Sequence, residues 1–234
     1  MTSGDNRFLK FRAWTVHFYT SLGLICAFFA MIALMAGDAK LCAIILAVSS
    51  IIDATDGTLA RAWNVKKWAP SFDGRKLDDI TDYINYTFIP IIFTYQFHLV
   101  QGWGIAVLGF VLILSAYGFC QLAAKTNDGF YTGFPNFWNI LIIYLYLFKF
   151  TPDVNAVVLL VFAFLILVPL RYISYSTKRF RIPTAIFSLV YAVIMIIVLM
   201  NMDHVDMRLV WLSLIGPIYY VVVSMYLNIL KTTS

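Results

Sequence analysis

Apolar residues run in long stretches along most of the chain, and short polar segments separate them. A helix needs about 20 apolar residues to cross the hydrocarbon core of a bilayer. Stretches approaching that length lie at residues 14–36, 39–60, 80–100, 103–124, 136–150, 153–172, 183–201 and 208–230. The fifth is the shortest. The pattern predicts an all-α, polytopic helical membrane protein with about eight transmembrane helices.

The overall composition supports this class of protein. Of the 234 residues, 62% are hydrophobic and only 12% are charged, and the mean hydropathy is +0.83. A soluble domain of this length would need far more polar surface. Because no long polar linker interrupts the pattern, we expect a single integral membrane domain over residues 1–234.

Basic residues are concentrated on one side of the predicted spans. That side holds all of the 17 Lys and Arg residues except Lys40, Lys149 and Arg208. The positive-inside rule places it, with both termini, in the cytoplasm. The net charge of +5 is then explained by topology and by contact with the anionic lipid bilayer. Nucleic-acid binding is not expected.

Carboxylates cluster where the second and third apolar stretches meet a basic loop. Six of the twelve aspartates fall between residues 53 and 82, and the chain has no glutamate. Asp53 and Asp56 lie near the end of the second stretch, and Asp78 and Asp82 flank the start of the third, each pair at helical spacing. Carboxylates at membrane depth are costly unless a cation neutralises them. The cluster therefore predicts a divalent metal site.

The residue types around the cluster indicate which ions and ligands it would take. Oxygen ligands favour Mg²⁺ or Mn²⁺. Four carboxylates exceed what one such ion needs, so two ions fit better, or one ion and a spare carboxylate acting as a base. Gly57 and Ala60 leave the helix face open for a ligand, and Arg61 adds a cation suited to phosphate. The alternative is that these aspartates are helix caps and ion-pair partners of nearby basic residues.

Transporters also carry acidic residues within the membrane. Those residues usually lie near the bilayer midplane, often at broken helices. Here the acidic residues lie at the cytoplasmic ends of two spans. That position favours chemistry at the interface on a lipid with a polar headgroup, and a metal-ion or small-solute transporter remains the alternative from a different class.

The acidic segment resembles the signature of the CDP-alcohol phosphotransferases, D-x2-D-G-x2-A-R…G-x3-D-x3-D. Its eight defining positions are occupied by Asp53, Asp56, Gly57, Ala60, Arg61, Gly74, Asp78 and Asp82. The insert of residues 62–73 is longer than in most members and is similar to that of the phosphatidylcholine synthase branch. Segments 13–17, 133–139 and 168–172 also resemble that branch, so the resemblance covers nearly the whole chain.

The resemblance implies a fold and a reaction. The fold would contain a six-helix CDP-alcohol phosphotransferase-like core in a bacterial inner membrane, with a homodimer as the family's usual assembly. The reaction would convert CDP-diacylglycerol and choline to phosphatidylcholine and CMP. Acceptors such as serine, glycerol phosphate or inositol are the alternatives within the enzyme class.

The resemblance also implies roles for individual residues. The metal ions would be held by Asp53, Asp56, Asp78 and Asp82. Asp82 would act as the general base that takes the hydroxyl proton of choline. CDP-diacylglycerol would be bound by Asp56, Gly57, Ala60, Arg61 and Gly74. Asp79, which points away from Asp78 on the helical wheel, is expected to cap the helix or pair with a lysine.

Two basic residues and several aromatic or amide side chains are further candidates. Lys125 and Arg171 are candidates for the donor phosphates, and the alternative is that they determine topology. Choline is recognised through cation–π contacts, and the candidates near the cytoplasmic side are Tyr86, Tyr83, Trp138, Tyr131 and Asn139. Aromatic residues are abundant at membrane interfaces in any case. The three histidines, at positions 17, 98 and 204, form no metal-binding pattern, and we expect them to be non-catalytic.

Overall fold

The structure is a computed structural model that describes residues 3–121, 130–173 and 181–232. Most of these residues are helical. The helices are α1 (Ser3–Met35), α2 (Ala39–Ala62), α3 (Val65–Trp68), α4 (Gly74–Asp82), α5 (Ile89–Gln96), α6 (Gly104–Cys120), α7 (Trp138–Phe148), α8 (Pro152–Leu167), α9 (Arg181–Met200), α10 (Met207–Ser213) and α11 (Ile215–Thr232). A π-helical segment (Tyr83–Phe88) joins α4 to α5, and a short 3₁₀ turn covers Met202–His204. Two short strands, β1 (Tyr131–Thr132) and β2 (Arg171–Tyr172), pair antiparallel.

The helices confirm the predicted all-α, polytopic membrane class. Four are long and apolar enough to cross a membrane: Asn6–Met35, Ala39–Ala62, Ile182–Met200 and Met207–Ile229. Three more apolar helices, Gly104–Cys120, Trp138–Phe148 and Pro152–Leu167, are shorter. Each predicted stretch contains a helix, while the number of eight transmembrane helices stays a prediction.

The chain divides into two compact units, the first ending at Ile92 and the second beginning at Phe93. The expectation of one domain over the whole chain therefore stays a prediction. The first unit contains the acidic cluster, and its first two helices run antiparallel. Gly37, with a φ of +74°, makes the turn between them, and Asp38 caps α2 by accepting a hydrogen bond from the Leu41 amide at 2.8 Å.

The basic loop of the first unit folds back on the N-terminal half of α1. Val65 in α3 and Ala69 after it are buried against Ala13 and Val16 of α1. Asp73 then caps α4, accepting a hydrogen bond from the Lys76 amide at 3.1 Å. The loop thus sets where α4 begins, and α4 carries the second pair of aspartates.

The second unit is built on buried apolar residues of α6, α7 and α8. Trp138 is fully buried at the start of α7, and its Nε1 donates to the hydroxyl of Ser115 at 2.8 Å. Asn155, buried in α8, donates to the carbonyl of Leu99 at 2.8 Å. Tyr144 and Ser213 share a hydrogen bond of 2.8 Å that ties α7 to α10.

The sixth predicted span, residues 153–172, extends beyond the end of the helix in the structure. The helix ends at Leu167, and Val168 is extended, as expected for a residue that precedes a proline. Arg171 and Tyr172 then form β2, which was not predicted, and pair with Thr132 and Tyr131.

Candidate active site

Three aspartates from two helices meet in the first unit. Asp53 of α2 and Asp78 and Asp82 of α4 each offer a carboxylate oxygen, and these oxygens lie within 4.8 Å of one another. All three residues are partly buried. Three carboxylate oxygens at this spacing suit a hard divalent cation, which binds oxygen ligands and leaves positions for substrate phosphates. The donor set therefore fits a metal ion of the predicted kind.

Asp56 lies in the same pocket and is held differently. It is only 5% exposed, and its Oδ2 accepts a hydrogen bond of 2.7 Å from the hydroxyl of Thr20 on α1. It lies outside the group of three whose oxygens are within 4.8 Å. A carboxylate has about four lone-pair positions, so such hydrogen bonds leave room for another partner.

The pocket has walls from three segments of the first unit. It is lined by Thr20, Gly23, Ser49, Ile52, Asp53, Asp56, Asp78, Thr81 and Asp82. Sequence reasoning found the four aspartates and missed Thr20, Gly23 and Ser49. These residues belong to no motif, and their neighbours become apparent only once α1 packs antiparallel to α2.

Gly23 lets α1 approach α4 closely. A Cβ placed on Gly23 would lie 2.5 Å from Cγ2 of Thr81 and 3.6 Å from Oγ of Ser49. The carbonyl oxygen of Gly23 accepts a hydrogen bond of 3.0 Å from Asn85. Gly23 and Thr81 both line the pocket, so this crossing forms part of its wall.

A π-helical segment follows Asp82 directly. In this segment the amide of Ile89 bonds to the carbonyl of Ile84, five residues earlier. Asn85 is 1% exposed, and its Nδ2 donates to the carbonyls of Gly23 and Thr81, both at 3.0 Å. Asn85 thus ties the segment to α1. Single π-helical turns are frequent at functional sites.

Tyr86, a candidate for choline contact, reaches the acidic cluster from the π-helical segment. Its hydroxyl donates to Oδ2 of Asp53 at 2.8 Å. Tyr83 is half-buried in the same segment. Both tyrosines therefore belong to the first unit, beside the aspartates.

The other choline candidates lie in the second unit. Trp138 is 0% exposed and packs edge-on against Phe134, so its ring serves packing in this structure. Tyr131 pairs with Tyr172 across the two-stranded ladder, and Asn139 is half-buried in α7. Their roles with choline stay predictions.

The residues predicted to bind the donor differ in their surroundings. Gly57 is open, since an added Cβ would meet only Nη1 of Arg61, at 3.4 Å. Ala60 is half-buried, and Arg61 is exposed with Nη2 donating to Thr58 at 3.0 Å. Gly74 is the first residue of α4 and packs against the ring of His17.

Of the two basic candidates, Arg171 belongs to the second unit. Asn228 accepts from its backbone amide at 3.0 Å and donates to its carbonyl at 2.8 Å, while the guanidinium lies 5.7 Å from the ring centre of Phe130. Lys125 lies outside the described residues.

Asp79 does not join the three aspartates. Its Oδ2 lies 4.0 Å from Nε of Arg75, one turn earlier, so its partner is an arginine and not the lysine expected. Burial raises the pKa of the Asp79 carboxyl, and Arg75 opposes this shift. Exposed ion pairs of this kind contribute little to stability.

Comparison with known proteins identifies the family. The model of the CDP-alcohol phosphatidyltransferase family matches residues 16–170, which include the four aspartates of the pocket. The chain belongs to the CDP-alcohol phosphatidyltransferase family. Membership makes the protein a phosphatidyltransferase enzyme, and the transporter hypothesis is set aside.

Similar proteins carry a more specific name. The phosphatidyltransferase is 38% identical to a phosphatidylcholine synthase of Borreliella burgdorferi over 189 residues, 79% of this chain and 81% of the relative. It is 37% identical to that of Pseudomonas aeruginosa over 70% of this chain and 69% of the relative. The one from Rhizobium johnstonii is 27% identical over 92% of this chain and 90% of the relative.

Proposed function

We propose that this phosphatidyltransferase is a phosphatidylcholine synthase. It transfers the phosphatidyl group of CDP-diacylglycerol to choline, and CMP leaves. The observation that carries the proposal is the meeting of Asp53, Asp78 and Asp82 within 4.8 Å, inside the stretch that matches the family. The names of the relatives support choline as the acceptor.

We propose that the cofactor is Mg²⁺ or Mn²⁺, with two ions bound. The residues that would hold them are Asp53, Asp56, Asp78 and Asp82. When bound, such ions neutralise the donor diphosphate and stabilise charge on the departing CMP oxygen. Two ions are favoured because four carboxylates exceed the needs of one.

The protein's own groups fix the acidic residues and move the proton. Thr20 orients Asp56 and Tyr86 orients Asp53 through their hydrogen bonds. Arg61 is exposed, with Nη2 donating to the hydroxyl of Thr58, and its guanidinium suits a donor phosphate. Asp82 takes the proton from the choline hydroxyl as that oxygen attacks phosphorus in line with the leaving CMP.

The donor and the acceptor are recognised by different chemistry. Gly57, Ala60, Arg61 and Gly74 form the proposed CMP side, with Lys125 and Arg171 as further phosphate contacts. Choline has a quaternary cation, which is attracted to aromatic faces. Tyr86 and Tyr83 are our first candidates because they lie in the segment that follows Asp82. Tyr131, Trp138 and Asn139 remain secondary candidates.

We also propose the cellular setting. The charge distribution favours both termini in the cytoplasm and the acidic pocket at the cytoplasmic face of a bacterial inner membrane. CDP-diacylglycerol is a lipid with a polar headgroup, and an interfacial pocket suits it. A homodimer is the proposed assembly.

The test is an assay of the purified protein in detergent with CDP-diacylglycerol, Mn²⁺ or Mg²⁺, and one alcohol at a time. We expect CMP release and phosphatidylcholine with choline, loss of both on adding EDTA, and recovery on adding back the metal. If product forms with serine, glycerol phosphate or inositol and none forms with choline, that alcohol is the acceptor and the assignment of choline is wrong. Absence of CMP release with every alcohol would contradict the reaction itself.

A further inference from the structure

Gly74, the motif glycine at the start of α4, is in close contact with another part of the chain. A Cβ placed on it would lie 2.6 Å from Cε1 and 3.0 Å from Nδ1 of His17 on α1. Real Cβ atoms essentially never show contacts as short as the first. An alanine at position 74 would therefore require either the imidazole or the beginning of α4 to move.

The imidazole has little room to move. His17 is 7% exposed, and its ring lies 4.5 Å from that of Phe72 and 5.7 Å from that of Trp14, measured between ring centres. Nε2 is buried and makes no hydrogen bond within the described part of the chain. Ring packing therefore holds the imidazole in place, and no bond at Nε2 contributes.

Gly57, the other glycine of the motif, has open space where a side chain would lie. A Cβ on Gly57 would meet only Nη1 of Arg61, at 3.4 Å, and that atom is the end of a flexible, exposed side chain. An added methyl group there can be accommodated by the protein. The two glycines of the motif therefore have different physical reasons to lack a side chain.

We propose that His17 is a positioning residue, and that Gly74 lacks a side chain because the imidazole packs on it. The contact fixes the first turn of α4 against α1. Asp78 and Asp82 follow one and two turns later on this nine-residue helix, so a shift at Gly74 moves both carboxylates. This inference deepens the proposed function and rests on it.

A displacement of α4 would lower the reaction rate strongly, although neither His17 nor Gly74 touches the reacting atoms. Displacement of reacting groups by 1 Å can lower the rate about 100-fold. Two residues in contact show non-additive effects when both are changed. If His17 acts by packing on Gly74, the effect of substituting Gly74 will depend on whether His17 is present. If each residue contacts a ligand independently, the two effects will simply add.

The experiment is a double-mutant cycle in the full-length protein, purified in detergent, with kcat and the Mn²⁺ midpoint of a thermal-shift titration as readouts. We expect Gly74→Ala to lower kcat about 100-fold in the wild-type background and to weaken Mn²⁺ binding. We expect His17→Ala alone to lower kcat about tenfold. In that background, Gly74→Ala should lower kcat further by less than about fivefold.

The matched control is Gly57→Ala. It should have the same effect in both backgrounds, because no contact joins Gly57 to His17 in the described residues. An equal cost of Gly74→Ala in both backgrounds, in kcat and in Mn²⁺ midpoint, would overturn the inference and leave Gly74 with its proposed donor contact alone. If choline proves not to be the acceptor, the double-mutant cycle can still be carried out. Its readouts are then CMP release with the true acceptor and the Mn²⁺ midpoint.

Discussion

The hydroxyl of Tyr86 donates a hydrogen bond of 2.8 Å to Oδ2 of Asp53. Tyr86 belongs to the π-helical segment, and Asp53 lies in α2, so the bond joins two helices directly at the acidic pocket. The bond involves only the hydroxyl, so two roles proposed for this tyrosine can be separated. The first is that the hydroxyl orients Asp53 as a proposed metal ligand, and the second is that the ring contacts choline.

Tyr86→Phe tests the first of these functions. Loss of a group that orients a metal ligand typically costs 10–100-fold in metal affinity or activity. We expect the Mn²⁺ midpoint to rise about tenfold while the KM for choline stays unchanged, because the ring remains. Tyr86→Leu should raise that KM as well. Tyr83→Phe is the control, and an unchanged Mn²⁺ midpoint in Tyr86→Phe would exclude the orienting role.

Asp82→Asn tests the proposed base. The amide oxygen can still bind a metal, but it cannot accept the proton, so kcat should fall at least about 100-fold while donor binding persists. Asp79→Asn is the matched control, since Asp79 pairs with Arg75 and lies outside the group of three. It should retain kcat within about twofold. Normal turnover by purified Asp82→Asn protein would remove Asp82 from the proton transfer.

Thr20→Val tests the support of Asp56. The substitution keeps the shape of the side chain and removes the hydroxyl that donates to the buried carboxylate. An unpaired buried acceptor costs about 1–3 kcal/mol. We therefore expect the Mn²⁺ midpoint to rise to a higher concentration and kcat to fall. Thr20→Ser should restore both.

Thr15→Val provides the comparison for Thr20→Val. The hydroxyl of Thr15 bonds to the carbonyl of Phe11 in the same helix and is exposed, so its removal should leave the Mn²⁺ midpoint unchanged. An equal response of the two variants would mean that the hydroxyl of Thr20 has no specific role at Asp56.

Gly23→Ala tests the crossing of α1 and α4. The new methyl would lie 2.5 Å from Cγ2 of Thr81, which is 6% exposed. Overpacking of this kind typically costs about 1–3 kcal/mol, so the thermal unfolding midpoint in detergent should fall. Gly109→Ala in α6 meets nothing within 4 Å and should be neutral or stabilising by up to about 1 kcal/mol. Equal midpoints for the two variants would contradict the close approach at Gly23.

Some of the site was accessible from the sequence because helical periodicity is local. The spacing of Asp53 from Asp56, and of Asp78 from Asp82, placed each pair at a helix end. The cost of charge at membrane depth then led to the prediction of a shared cation. The all-α class followed equally directly from the length of the apolar stretches.

Other parts depend on tertiary contacts that no spacing reveals. Thr20 and Gly23 reach the pocket because α1 is antiparallel to α2, and one-dimensional periodicity does not indicate which face meets which partner. The same holds for His17, which we expected to be non-catalytic and which is found against a motif glycine. The strand pairing of Tyr131 with Tyr172 joins segments far apart in the chain, and two-residue strands leave no alternating pattern.

The π-helical segment changes the angular phase of the continuous helix that runs from α4 into α5. Each residue of an α-helix turns the chain by about 100°, so one additional residue in a turn rotates everything that follows relative to everything before it. Thr81 and Asp82 before the segment are directed to the acidic pocket, and Ile89 and Ile91 after it are buried at 2% exposure. A uniform α-helix of the same sequence would have to give up one of these two orientations, so the irregular turn allows one continuous helix to serve both an acidic pocket and an apolar core.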